Sequence, residues 1–105
     1  MKYIKKKVSI KTKENTEIIK PGPVYATNGG FTGEVNLQWD AIEKANNYII
    51  QISRNGNAWH EVDIVADPQY SLHGLSRGRT YFFRVSAILK GIRSRWSKAA
   101  VKKIK

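Results

Sequence analysis

The chain has no cysteine, so disulfides and thiolate metal sites are excluded and a packed core has to hold the fold. Histidine is scarce as well. His60 and His73 lie far apart, and neither has a carboxylate or hydroxyl in a motif that would pair it with a nucleophile. His60-Glu61 is not a metal pair, because neighbours on a strand point to opposite faces. Asp40, Glu43, Glu61, Asp63 and Asp67 are scattered, without the spacing of a calcium loop or a glycosidase pair. Gly29, Gly30 and Gly33 lead into no helix and so form no phosphate-binding fingerprint. The chain therefore offers no catalytic, cofactor or metal site, and it is not expected to be an enzyme. No run approaches the roughly 18 apolar residues needed to cross a bilayer. The lysine-rich start Met1–Ile10 has neither the apolar core nor the small-residue cleavage site of a secretory leader. A cytoplasmic location is the expectation unless a leader has been removed.

Acid is missing from the ends. Residues 1–20 carry seven Lys against Glu14 and Glu17, a net +5. Residues 21–89 carry Lys44, Arg54, Arg77, Arg79 and Arg84 against six acids, a net −1. From residue 90 onward seven cations meet no acid, which completes the total of +11. Two basic ends on a neutral body can hold nucleic acid, an anionic surface or an acidic partner, or simply keep the protein soluble.

At 105 residues, 41% of them hydrophobic, the chain is long enough for one domain with one core. Residues 1–19 read as a basic extension, either a tail or an extra edge strand whose lysines discourage pairing. Residues 20–105 read as the domain. Pro21-Gly22-Pro23 opens it, and Val24–Thr27 is a short strand ended by Asn28-Gly29-Gly30. Val35–Trp39 and Tyr48–Ile52 alternate cleanly. Asn55-Gly56 predicts a type I′ hairpin into Ala58–Ile64. Gln69–Leu72 follows Asp67-Pro68, and Tyr81–Ile88 is the clearest period-two stretch in the chain. Lys90–Arg95 is expected as a loop, and the last strand runs from Trp96 to about Ile104 with Ala99, Val101 and Lys103 on one face. Seven short strands without helical periodicity predict an all-β, seven-stranded antiparallel β-sandwich.

These residues resemble the fibronectin type III family, an immunoglobulin-like fold, over about residues 20–105. The matching positions are Pro21 and Pro23, Val35-x-Leu37-x-Trp39, Ala45-x-x-Tyr48-x-Ile50, Leu72-x-Gly74-Leu75, Thr80-Tyr81-x-Phe83-x-Val85-x-Ala87 and Ser94-x-Trp96-Ser97. The resemblance implies one sheet from the strands near 24, 37 and 71 and a second from those near 50, 61, 84 and 99. It implies that Trp39 and Tyr48 fill the space between them, and that the Tyr81 hydroxyl bonds backbone in the turn near Leu75. It also implies a scaffold that serves many unrelated tasks. The cell-attachment tripeptide Arg-Gly-Asp is absent. Ser94-Arg95-Trp96-Ser97 is similar to the end of the cytokine-receptor Trp-Ser-x-Trp-Ser motif, but Arg93 stands where its first Trp belongs.

Alternation places Ile49, Phe82 and Ile88 on the outer side of the second sheet, with Gln51, Arg84 and Ser86 among them. Ile49, Gln51, Phe82, Arg84 and Ile88 are therefore the candidate protein-contact face, where the Arg84 guanidinium can stack on Trp96. Lys90, Arg93, Arg95, Lys98, Lys102 and Lys103 are the candidate anion-contact set, with Trp96 or Phe31 as a stacking surface. The primary expectation is a non-catalytic protein-interaction or assembly module, of bacterial look from its Lys- and Asn-rich composition. Sequence-blind binding of nucleic acid or another anionic polymer through the basic ends is the first alternative. An accessory carbohydrate-binding role using Trp59 and Tyr70 is the second.

Overall fold

The computed structural model describes residues 20–105, and the basic extension read over residues 1–19 lies outside them. Eight strands follow one another: β1 (Tyr25–Asn28), β2 (Val35–Gln38), β3 (Asn47–Ser53), β4 (His60–Val65), β5 (Gln69–Leu72), β6 (Thr80–Leu89), β7 (Ile92–Arg93) and β8 (Ala100–Lys103). They form two antiparallel sheets, one ordered β1-β2-β5 and one ordered β4-β3-β6-β7 with β8 also paired to β6. The sandwich and its division into sheets agree with expectation.

The alternating stretches supply the core. Val35, Leu37 and Trp39 face Tyr48, Ile50, Tyr81, Phe83, Val85 and Ala87 in a single buried cluster. Trp39 and Tyr48 meet edge to face with centroids 5.4 Å apart, and Tyr81 and Phe83 lie 6.5 Å apart. Each phenol keeps its polar end satisfied. The Tyr48 hydroxyl accepts the Ile42 N–H at 2.9 Å, and the Tyr81 hydroxyl accepts the Ser76 N–H at 3.0 Å. The indole Nε1 of Trp39 is buried without an acceptor among the described residues.

Three local expectations change. The type I′ turn belongs to Lys90-Gly91, where φ is 52° and 80° and Leu89 pairs directly with Ile92. That turn extends β6 and adds the two-residue β7 inside the expected loop. At Asn55-Gly56 only Gly56 has positive φ, and the connection is the six-residue loop 54–59. Side-chain oxygens explain the difference. Ser53 Oγ accepts the N–H groups of Asn55 and Gly56, while Asn55 Oδ1 accepts those of Asn57 and Ala58.

The third change is the face of β8. Ala100 pairs with Phe83 and Lys102 with Tyr81, so these residues share the inward face, and Val101 points outward at 58% exposure. Ile104, fully buried, closes the core where Lys103 was expected to point inward.

Candidate contact surface

The outer face of the five-stranded sheet is built by register. Ile49 lies opposite Ile64 on one side and Ser86 on the other, and Gln51 lies opposite Arg84. Phe82 lies opposite Val101, and Ile88 opposite Arg93. Ile49, Gln51, Phe82, Arg84 and Ile88 are therefore brought together, each half-buried. Ile64, 48% exposed, and Val101 widen the apolar ground beside them. Phe82 lies under the loop between β3 and β4, where a Cβ on Gly56 would come within 3.5 Å of its ring.

Arg84 is the fixed point of this face. Its Cζ sits 4.2 Å from the ring centre of Trp59 and 4.3 Å from that of Trp96, between two indoles. Arg93 continues the stack, 4.9 Å from Trp96. Nε of Arg84 donates to Gln51 Oε1 at 2.9 Å. Burial depresses the Arg84 pKa, and the neighbouring Arg93 cation depresses it further. Among the described residues no carboxylate pairs with this guanidinium, so two π faces and an amide oxygen take that role.

Trp96 is brought over Arg84 by an unusual edge. In place of strand pairing, Ser94 N and Ser97 N donate to the carbonyls of Ala87 and Val85, both at 2.8 Å. Ser94 Oγ and Ser97 Oγ then accept the N–H groups of the same two residues, both at 2.9 Å. Three residues thus span the distance of two on β6, and the slack lifts Trp96 onto the outer face. Ser86 lies on that face yet is fully buried, its hydroxyl donating to the Ser94 carbonyl at 2.8 Å.

The sequence anticipated the contact between Arg84 and Trp96 but not Trp59 or Arg93. The hairpin reading puts Trp59 second in a strand from Ala58, whereas it ends the loop that leads into β4. Of the aromatics weighed for sugar stacking, Trp59 thus holds Arg84 and Tyr70 is half-buried. Burial raises the Tyr70 pKa, and the nearby Asp63 carboxylate, as acceptor and as negative charge, raises it further.

The anion-contact set separates. Lys90, Arg93 and Arg95 lie toward the β6–β7 turn, Lys98 follows Ser97 at the middle of β6, and Lys102 and Lys103 lie opposite Tyr81 and Thr80 at its other end. A ten-residue strand is about 30 Å long. Two cavities accompany these surfaces. One of about 580 Å³ lies along Asn36, Gln38, Gln69 and Ser71, and one of about 540 Å³ lies between Arg54, Leu75 and Tyr81. His60 and Ser53 both line the second, but the Ser53 hydroxyl donates to Asn55 Oδ1 at 3.1 Å. His60 is exposed, and His73 Nδ1 lies 3.5 Å from Glu34 Oε2.

Comparison with known proteins agrees with this architecture. The model for the fibronectin type III domain matches residues 20–103. A Fn3-like protein from Clostridium thermocellum superposes with a TM-score of 0.72 at 25% identity, covering 77% of this chain and 86% of its own. The sixth fibronectin type III domain of human fibronectin type III domain containing protein 3 gives 0.72 at 16% identity, covering 83% and 85%. Domains A168–A170 of titin give 0.63 at 24% identity, covering 83% of this chain and 32% of that one. The last two likenesses speak to fold alone. No curated protein matches the chain.

Proposed function

Because this chain belongs to the fibronectin type III family, we propose that it is a non-catalytic contact module that holds another protein on the outer face of its five-stranded sheet. The observation that carries this reading is the Trp59–Arg84–Trp96 stack within apolar ground formed by Ile49, Ile64, Phe82 and Val101. Aromatic residues and arginine are enriched in the energetic centres of protein interfaces. Here the arginine is already held in place, so less side-chain entropy is lost on binding. A partner with an aliphatic or aromatic ridge and a carboxylate placed toward Arg84 fits this surface.

A photo-crosslinking residue at Val101 tests the proposal, with the same residue at Tyr25, on the three-stranded sheet, as control. A discrete adduct from Val101 that disappears in the Ile64→Asp variant is expected. Adducts of equal yield from both positions, or from neither, would reject this face as the contact site.

A further inference from the structure

Antiparallel connection sends alternate loops to the same end of the sandwich, and here that end gathers charge. The loops 29–34, 54–59 and 73–79 meet there with the residues that follow β8. Backbone bonds tie two of these loops to the chain end: Gly33 N to the Lys105 carbonyl at 3.0 Å, Leu75 N to the Gly33 carbonyl at 3.0 Å, and Gly78 N to the Ile104 carbonyl at 2.8 Å, while Arg54 and Asn55 line a cleft with Gly74 and Leu75. Arg54, Arg77, Arg79, Lys103 and Lys105, all exposed, thus share one pole with the carboxylate of Glu34 and, at the start of β4, that of Glu61. Glu34 is already engaged by the Phe31 N–H at 3.1 Å and by His73. Among the described residues none of the five cations has a carboxylate within salt-bridge distance. The opposite pole sets Asp40, Glu43 and Asp67 against Lys44, Lys90, Arg93 and Arg95, so cations and acids nearly balance there. At the tip of the basic pole stands Phe31, 79% exposed, the most exposed large hydrophobic side chain among the described residues.

We propose that this pole docks on an anionic lipid surface, with the arginines and lysines facing the headgroups and the Phe31 ring entering the interface. Charge complementarity sets the sign of the partner. The protruding ring selects lipid over a purely polar polyanion, since an aromatic side chain gains at a membrane–water boundary. A nucleic-acid strand is the weaker fit, because stacking of successive bases needs a row of aromatics along a basic groove. The cleft beside Phe31 holds only about 210 Å³ and offers no second ring.

The test is co-sedimentation of the full chain with vesicles of phosphatidylcholine alone and with about 30% phosphatidylserine, a content that gives a negative surface potential. Binding is expected only to the second, and it should weaken between about 50 and about 300 mM salt. The paired variant Arg77→Gln/Arg79→Gln should lose on the order of 30-fold in partitioning, about fivefold for each cation. Phe31→Ser should lose severalfold more than Lys103→Gln. The variant Lys44→Gln/Lys90→Gln changes total charge equally but lies at the opposite pole, and its partitioning should stay within about twofold of the wild type. These surface variants are first checked for unchanged thermal unfolding. The proposal is overturned if neither vesicle sediments the protein or if the two paired variants lose equally. It is also overturned if Phe31→Ser changes nothing, or if mixed-sequence DNA binds through Arg77 and Arg79 while vesicles do not.

Discussion

Truncation of Arg84 is the most informative perturbation, because its worth can be worked from the contacts around it. Arg84→Ala removes two guanidinium–indole contacts, at 4.2 and 4.3 Å, each worth about 0.5–1 kcal/mol at a half-exposed site. It also removes the bond to Gln51 Oε1, of the charge-assisted kind worth about 1.5–3 kcal/mol. Two effects oppose these gains: desolvation of the cation and repulsion from Arg93, the same two that depress its pKa. The balance is a loss of about 2–3 kcal/mol for Arg84→Ala. Arg84→Lys should fall between, since an ammonium keeps the charge but lacks the planar group that stacks on both indoles. Urea unfolding followed by the fluorescence of buried Trp39 measures each loss, and an unchanged m value shows that the transition is comparable. Double-mutant cycles of Arg84→Ala with Trp59→Ala and with Trp96→Ala should each give a coupling of about 0.5–1 kcal/mol. Couplings below about 0.3 kcal/mol with both indoles would refute the stack as an energetic unit.

Gly33→Ala should cost about 2–4 kcal/mol in thermal or chemical unfolding, because φ is 82° and the new Cβ would sit 2.7 Å from the Leu75 carbonyl oxygen. Ser97→Ala should cost about 1–3 kcal/mol by leaving the Val85 N–H without its side-chain acceptor. Hydrogen exchange at Val85 should accelerate, whereas exposed Ser71→Ala should stay within about 0.5 kcal/mol of the wild type. The Tyr81 pKa is lowered chiefly by the hydrogen bond from Ser76, with Arg54 and Arg79 adding to it against desolvation. The native state therefore releases the phenolic proton before the unfolded chain does, and the wild-type advantage over Tyr81→Phe should grow as pH rises through about 10. A gap in melting temperature that stays flat or narrows across that range would contradict this sign.

Legibility followed the strength of alternation. Val35–Trp39, Tyr48–Ile52 and Tyr81–Ile88 carry large apolar residues at every second position, and one register alone buries them, so strand, face and sheet were all readable. β8 was not readable in the same way. Ala99, Ala100, Val101 and Ile104 place small or apolar residues on both parities, and pairing to Tyr81 and Phe83 decides which side turns inward. The turns were misread for a related reason. Asn55-Gly56 has the better local preference for a two-residue hairpin, yet Ser53 Oγ and Asn55 Oδ1 satisfy four loop N–H groups and stabilise a longer connection. The stack on Arg84 was half legible. Trp96 was visible through the Ser94-x-Trp96-Ser97 pattern, while Trp59 reaches Arg84 only because the longer loop carries it there.

Charge shows most clearly what order along the chain conceals. Residues 21–89 are nearly neutral as a segment, and that sum hides where its cations gather. In an antiparallel sandwich, however, electrostatic neighbours are set by loop parity. Arg54, Arg77 and Arg79 belong to that neutral body, yet their loops turn at the same end as Lys103 and Lys105, while Asp40, Glu43 and Asp67 turn at the other. Over a sandwich of this length the two groups lie farther apart than the roughly 8–10 Å over which salt leaves exposed charges coupled. Only Glu34 and, at the start of β4, Glu61 lie near the basic pole, two acids against five cations, so it keeps a net positive charge. The contact face on the five-stranded sheet and the basic pole can then act independently, one through shape and apolar burial and the other through ionic strength. A partner that binds the sheet, with one carboxylate at Arg84, should lose little affinity as salt rises, while attachment through the pole should weaken steeply.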